Sequence, residues 1–579
     1  RRQSPDKPPQ PFFVVSLRKI SPMRVRLFIC LFIPFLFSPV LLLSQQKLNK
    51  YWVEFTDKNN SPFCTCRPAE FLSARALERR ARAGIAVVEN DLPVNPAYVN
   101  ALKINGVQLH NTSRWLNAAT VIADSAGASG LSALPFVKKV EYIGRHIPAK
   151  NPPNRKPKKR IPIKDYPRPE GGGELGYTGL QNSQLNLPPL YLAGHRGKGI
   201  WVVVMDGGFT NVDTLPFFDS IAIQGRLFPG WDFVEHDGAV YEGAQHGTSV
   251  LSVMAANLPG YFVGGAPDAT YFLLKTEDTA GEYPVEEANW IAGAEWADSI
   301  GADIVNASLG YTVFNDTTLN HKYTELNGRT AIGSRGAIIA ATKGLIFCNS
   351  AGNEGDSPWR HIGVPADAPG LIAVGATDYD GHRASFSSVG PTADGRIKPD
   401  LMAPGEQVVT AGGLGTQLGL SSGTSLASPM LVGAITALWS AYPDKTAAEI
   451  LDAVFRSADQ SENPDNDRGY GLPDMTGAWL DMGNFQAYSP NGRPAYFFAF
   501  NRDGGTLTFL ILSDDFRPGD AMELFDASGR RVENAIFRMA RHEISTLTIS
   551  GLEDLEPGAY QVLLRNGEKA GRMIGLVWR

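Results

Sequence analysis

The chain has 579 residues, of which 43% are hydrophobic and 20% charged, with a formal net charge of -5. That balance is ordinary for globular protein and excludes a chain whose charge alone would carry it to nucleic acid. The length allows roughly three or four folding units.

Residues 1–22 are basic and irregular and precede Met23; they are expected to be an upstream read-through. Arg24 and Arg26, an apolar run over 27–43 and then Ser44-Gln45-Gln46 make the pattern of a secretory signal peptide at 23–45. A membrane anchor is the alternative, but the run is near the lower limit for spanning and is interrupted by Pro34, Ser38 and Pro39. No second long apolar stretch is evident, so a soluble mature protein without a stable membrane span is expected, secreted or held at the cell surface.

Residues 47–145 carry a compact α+β pattern. Positions 51–55 alternate like a strand, and 69–83, rich in Ala, Leu, Arg and Glu, predict a helix stopped by Gly84. Strand-like runs follow at 106–110 and 115–122, then a short helix at 129–134 and a closing strand at 137–143. Residues 146–174 are a linker dense in proline and glycine, and its basic run Arg155-Lys156-Pro157-Lys158-Lys159-Arg160 is a candidate processing site.

From 175 to 482, short apolar runs at 200–205, 302–306, 345–350 and 371–374 alternate with helix-compatible segments such as 286–299. Buried parallel strands read this way, which predicts an α/β domain with a mostly parallel sheet. From 490 to 579 the pattern changes to short strands at 506–512, 521–525, 543–549 and 559–564, separated by turn signals, which predicts a small β-sandwich.

There are four cysteines. Cys30 lies in the apolar run; Cys64 and Cys66 have no second pair at zinc-site spacing; Cys348 reads as a buried small residue. The fold is not expected to depend on disulfides.

Three motifs carry chemistry. Val202-Val203-Val204-Met205-Asp206-Gly207-Gly208 is a strand ending in an acid, placed where α/β proteins bind ligands at the carboxyl edge of the sheet. His246-Gly247-Thr248-Ser249-Val250 sets an imidazole at a helix start, where it can serve as general base. Gly423-Thr424-Ser425-Leu426-Ala427-Ser428-Pro429 sets a serine at a helix N-terminus, with Pro429 expected in the first turn because proline is not tolerated in a helix interior. There free N–H groups favour a developing negative charge. In a fourth segment, Ser350-Ala351-Gly352-Asn353-Glu354-Gly355, the Asn353 amide can donate to an oxyanion beside the Ser425 N–H. Taken singly, each of these is more often an ordinary turn, cap or packing residue.

Taken together and in order, Asp206, His246 and Ser425 make the chain resemble the subtilases, peptidase family S8, over about 175–480. The resemblance implies a subtilisin-like three-layer α/β domain and a serine endopeptidase with those residues as catalytic triad and Asn353 in the oxyanion hole. Asn306-Ala307-Ser308-Leu309-Gly310 resembles the subtilase strand beside the specificity pocket, so Ser308, Leu309 and Gly310 are expected to bind substrate backbone as an added strand. Gly469-Tyr470-Gly471-Leu472 resembles the end of that domain. Asp91-Leu92-Pro93-Val94-Asn95 and Trp115-Leu116-Asn117 make the N-terminal region resemble a ferredoxin-like subtilase propeptide, implying an intramolecular inhibitor. Leu524-Phe525-Asp526-Ala527-Ser528-Gly529-Arg530 and Gly558-Ala559-Tyr560 make the C-terminal module resemble a type IX secretion sorting domain, implying the secretion machinery as partner.

The pattern departs from the family at Gly207, Ser249 and Leu426, none of which is a reacting group. No cofactor is required for the chemistry, and 257–267 lacks a good set of oxygens for the usual structural calcium. The expected partners are polypeptide substrates and the chain's own propeptide, not nucleic acid. The rival readings are a sedolisin-like peptidase, which uses Glu in place of His as base, and a non-enzymatic surface protein whose β-module binds a partner.

Overall fold

The computed structural model describes residues 47–148, 169, 174–412 and 417–483, and beyond these the strands between 496 and 578 with residues 531–532. Residues 23–45, expected to be a signal peptide, and nearly all of the expected linker, including its basic run, lie outside the described residues.

The N-terminal module is a four-stranded antiparallel sheet of β1 (Asn49–Phe55), β2 (Gln108–Ser113), β3 (Ala118–Ala123) and β4 (Val137–Arg145), in the order β2-β3-β1-β4. Its helices are α1 (Ala74–Arg82), α2 (Pro96–Ile104) and α3 (Ser125–Leu131). This is the ferredoxin-like order. Helix α1 is shorter than the 69–83 expectation because Ser73 caps it, accepting from the Ala76 N–H. Helix α2 was absent from the sequence reading, although Asn95 as cap and Pro96 at the first helical position are start signals. Cys64 and Cys66 form a disulfide across a single intervening residue, an addition to the sequence expectation. A loop that short removes little freedom from the unfolded chain.

The central module is built on seven parallel strands: β5 (Trp201–Asp206), β6 (Leu227–Asp232), β7 (Thr270–Lys275), β8 (Ile304–Ala307), β9 (Ile346–Ser350), β10 (Ile372–Thr377) and β11 (Leu401–Pro404). The order is β11-β10-β9-β8-β5-β7-β6. Both faces are covered, so strand residues alternate between two cores. Val202, Val204, Ile304 and Cys348 pack with helices α4 (His246–Ala255) and α7 (Thr424–Ala441). Val203, Met205, Val305 and Phe347 pack with α5 (Val285–Ile300) and α6 (Ile332–Ala340). That is why these strands read as continuous apolar runs. Cys348 is buried, and burial pushes its thiol well above the ordinary value, which removes it as a nucleophile.

Two expectations need correction here. Helix α7 is a second long apolar stretch, with 18 residues and a mean hydropathy of 1.2; it is apolar because the core surrounds it, and 83% of it is buried. Pro429 sits inside this helix, not in its first turn. Proline lacks the N–H that would bond the carbonyl four residues back, that of Ser425. Ser308 Oγ donates to that carbonyl at 2.7 Å instead, which makes the interior proline tolerable.

The C-terminal strands form two antiparallel sheets. One has the order Tyr496–Asp503, Thr506–Leu512, Ser545–Ser550, Ile536–Arg541; the other has Ala521–Asp526, Gly558–Arg565, Arg572–Trp578.

Candidate active site

In the parallel sheet, β5 continues into β6 and β7 on one side, and the chain then returns to β8 on the other. The carboxyl ends of β5 and β8 therefore flank a topological switch point, where open α/β sheets open a crevice. Asp206 ends β5, Ser308 to Gly310 follow β8, and Asn353 follows β9.

Asp206 is buried, and its Oδ2 lies 2.8 Å from His246 Nδ1. The Gly207 N–H donates to its other oxygen at 2.7 Å. Helix α4 approaches β5 closely, and glycine at 247 permits this: a β-carbon there would lie 2.3 Å from the Gly208 carbonyl oxygen and 2.9 Å from Asp206 Cβ. Gly208 is equally constrained, with φ of +135° and a hypothetical β-carbon 1.9 Å from the Glu242 carbonyl oxygen. The two side chains differ in exposure: 1% for Asp206 and 43% for His246. The acid is thus sheltered while the far side of the imidazole stays accessible. The Asp206 carboxylate raises the imidazole above its ordinary value, against burial, and Glu277 adds a smaller push in the same direction.

His246, Ser425, Asn353, Ser308, Leu309 and Gly310 all line one cavity of about 210 Å³. Among the described residues, His246 bonds to Asp206 and makes no hydrogen bond to Ser425. Resting sites often leave that bond to form with substrate. Ser425 is the second residue of α7, so its N–H is one of the donors that a helix start leaves free. Asn353 Oδ1 accepts from the Thr424 N–H at 2.9 Å and from Thr424 Oγ1 at 3.0 Å. A backbone N–H can only donate, so the amide orientation is fixed, and its NH₂ remains the donor available to the cavity.

The expected substrate strand is partly committed to the protein. The Ser308 hydroxyl is held by the Ser425 carbonyl and accepts from Asn306 Nδ2 at 3.0 Å; Asn306 Oδ1 in turn accepts from Ser428 Oγ at 2.8 Å. The Leu309 carbonyl accepts from Asn349 Nδ2 at 2.7 Å and from Ser350 Oγ at 3.1 Å. Gly310 is exposed. The sequence reading missed Asn306, Ser428 and the anchoring role of Thr424; Pro429, four residues after Ser425, was the available signal of a carbonyl in need of a partner. It also missed Glu354 and His361, which line the same cavity.

Among the described residues, two groups each bring three potential metal ligands together, Asp378/Asp380/His382 and Asp232/Glu235/Asp237, both outside 257–267. Lys275 already pairs with Asp232 at 3.0 Å, and the N–H groups of Asp380 and His382 occupy Asp378 Oδ1. Neither group supports assigning a metal.

The N-terminal module packs on α5 and α6. Glu295 of α5 accepts from Ser113 Oγ at 2.6 Å and from the N–H groups of Arg114 and Trp115 at 2.9 and 3.0 Å. The Trp115 ring joins the core on that face of the central sheet. Arg335 of α6 pairs with Glu54 at 2.7 Å.

Residues 197–472 match the subtilase family, and residues 50–160 match the peptidase S8 propeptide domain of Bacteroidota. Subtilisin NAT of Bacillus subtilis subsp. natto is 32% identical over 282 residues, 48% of this chain and 65% of that one. Subtilisin of Bacillus pumilus is also 32% identical over 282 residues, here 90% of its length and 48% of this chain. A solved structure, the MycP3 protease from the type VII (ESX-3) secretion system, aligns with a TM-score of 0.42 at 23% identity, covering 55% of this chain and 90% of that one. With a relative of this identity matched over nine tenths of its length, the chain belongs to the subtilase family.

Proposed function

We propose that the protein is an exported serine endopeptidase that hydrolyses peptide bonds through an acyl-enzyme on Ser425. The observation that carries this reading is the 2.8 Å Asp206–His246 bond beside a cavity shared by His246, Ser425 and Asn353. His246 Nε2 takes the Ser425 proton as Oγ attacks the substrate carbonyl carbon. Asp206 holds the imidazole in the tautomer protonated at Nδ1 and stabilises the imidazolium that forms. The Asn353 NH₂ and the Ser425 N–H donate to the oxyanion. His246 then protonates the leaving amine. Water, deprotonated by His246, attacks the acyl carbon; the bond to Ser425 Oγ then breaks as His246 returns the proton to that oxygen, and the product acid leaves. The backbone of Ser308 to Gly310 is the proposed edge for an extended substrate.

The N-terminal module is proposed to be the intramolecular inhibitor. Ile147 and Pro148 at its end line one cavity with Gly243, three residues before His246, and with Thr279 and Ala280, which closely follow Glu277. Export rests on the signal-peptide pattern at 23–45, and the C-terminal strand module is the proposed address for the secretion machinery.

The test is Ser425→Ala together with labelling by a fluorophosphonate. The wild type is expected to label at Ser425 and to release its N-terminal module, and the variant to do neither while keeping its fold. Absence of labelling in the folded wild type would mean a non-enzymatic scaffold. Mass spectrometry of the exported form is expected to show a start beyond residue 45; retention of 23–45 would overturn the export reading.

A further inference from the structure

Strand β7 runs beside β5 with Lys275 opposite Asp206, and the Thr276 N–H donates to the Asp206 carbonyl at 3.0 Å. Glu277 is the next residue. Its carboxyl reaches across to the segment that follows β8: Tyr311 Oη donates to Glu277 Oε1 at 2.7 Å, and Thr276 Oγ1 donates to the same oxygen at 3.1 Å. Tyr311 is buried and directly follows Ser308, Leu309 and Gly310. Its backbone exchanges hydrogen bonds with Val364 in both directions, at 2.8 and 3.1 Å. One side-chain pair therefore ties the limb bearing Asp206 to the limb proposed to hold substrate.

The departure from the family at 207 belongs to the same arrangement. A β-carbon at Gly207 would lie 3.2 Å from Ala244 Cβ, a tight approach, and in ordinary contact with Thr279 Cγ2 at 3.4 Å and Glu277 Cβ at 3.5 Å.

We propose that Glu277 is a positioning residue for peptide hydrolysis: through Tyr311 it fixes the 308–310 segment against the Asp206 limb. This rests on the endopeptidase reading above. The groups that face Glu277 are Asp206 at the end of β5, His246 on α4, Tyr311, Thr276, Glu282 and Glu286. Burial pushes the Glu277 carboxyl up to about 8, against the Tyr311 hydrogen bond, with Glu282 and Asp206 adding to the rise. On the alkaline side Glu277 ionises, and the Tyr311 hydrogen bond is then made to a carboxylate.

The test compares Glu277→Gln, Glu277→Leu and Tyr311→Phe in the full chain after self-processing, with active sites counted by fluorophosphonate so that only folded enzyme enters the rates. Glu277→Leu and Tyr311→Phe are expected to raise KM for an extended peptide substrate by about tenfold more than they slow Ser425 labelling by the small probe, the scale of one lost buried hydrogen bond. Glu277→Gln keeps an acceptor for Tyr311, so it is expected to restore most of that KM but to lose the inflection near pH 8 in kcat/KM. Wild-type KM and pH profile in all three variants would overturn the proposal. So would a parallel fall of peptide turnover and labelling, which would mark a purely structural role. If the wild type does not label at Ser425, the endopeptidase reading fails instead.

Discussion

Arg80 of the N-terminal module and Asp298 of α5 form a 2.7 Å ion pair in which neither side chain is exposed. Asp298 also receives Arg79 at 2.6 Å and Arg114 at 3.1 Å, and Arg80 is held from behind by Asp91 at 2.9 Å. One carboxylate thus contacts three guanidinium groups where water is excluded, and Asp91 supplies a second negative charge to the cluster. Removing one partner from such a set leaves uncompensated buried charge, at a cost of about 3 kcal/mol or more. Asp298→Ala is therefore expected to loosen the N-terminal module by roughly a hundredfold or more in the full chain. Limited proteolysis of residues 47–148 reads this directly; an unchanged cleavage rate would mean that the apolar contact around Trp115 dominates.

Asn353 offers its NH₂ to the cavity because Thr424 occupies its oxygen. Asn353→Ala is expected to lower kcat by roughly a hundredfold to a thousandfold with little change in KM, as for loss of one oxyanion donor. Thr424→Val removes the hydroxyl contact and keeps the N–H contact, so a smaller fall is expected. Steady-state kinetics on a peptide amide distinguish the two; a rise in KM alone for Asn353→Ala would remove it from the oxyanion site.

His110 of β2 contacts His236 of the central module, with Nδ1 and Nε2 3.1 Å apart, and His146 lines the same cavity. Burial lowers all three; Lys50 lowers each further, and Asp232 partly offsets the effect at His236. The neutral imidazoles therefore belong to the docked state. After separation each returns toward its ordinary value of 6.5 and takes up a proton below it. Docking is expected to be strongest above that pH and to weaken as pH falls through it. His110→Asn should flatten the dependence. Dissociation followed by tryptophan fluorescence between pH 5 and 8 checks this, and a pH-independent midpoint would count against it.

His321 shows the opposite sign. Against burial, Glu287 at 2.7 Å and Glu325 at 3.3 Å raise its imidazole to about 9. A folded-state value above the unfolded one stabilises fully below about 6.5 and loses that contribution as pH rises through about 9. The contribution is on the order of 3 kcal/mol. His321→Gln should lower the unfolding midpoint most at pH 6 and progressively less toward pH 9.5; an equal loss at both ends would assign the effect to packing.

Much of the fold was legible because buried parallel strands announce themselves as short apolar runs. The reading at 345–350 corresponds to β9 and that at 371–374 overlaps β10. The N-terminal strands were less well bounded. Trp115 reads as strand by residue type, but it leaves the module's own sheet to enter the neighbouring core, so β3 starts at Ala118. Local propensity does not report that a side chain is claimed by another module.

The sequence by itself determined the candidate set of Asp206, His246, Ser425 and Asn353, because each motif carries the glycines, helix start or strand end that its chemistry needs locally. It also determined the family. Only the tertiary structure decided which carbonyl Ser308 serves, how Pro429 is accommodated, and that Glu277 and Tyr311 meet behind the site. These relationships join residues that are 34 to 117 positions apart. Their partners are chosen by sheet order and by close approach of backbones, and neither quantity is written in the local sequence.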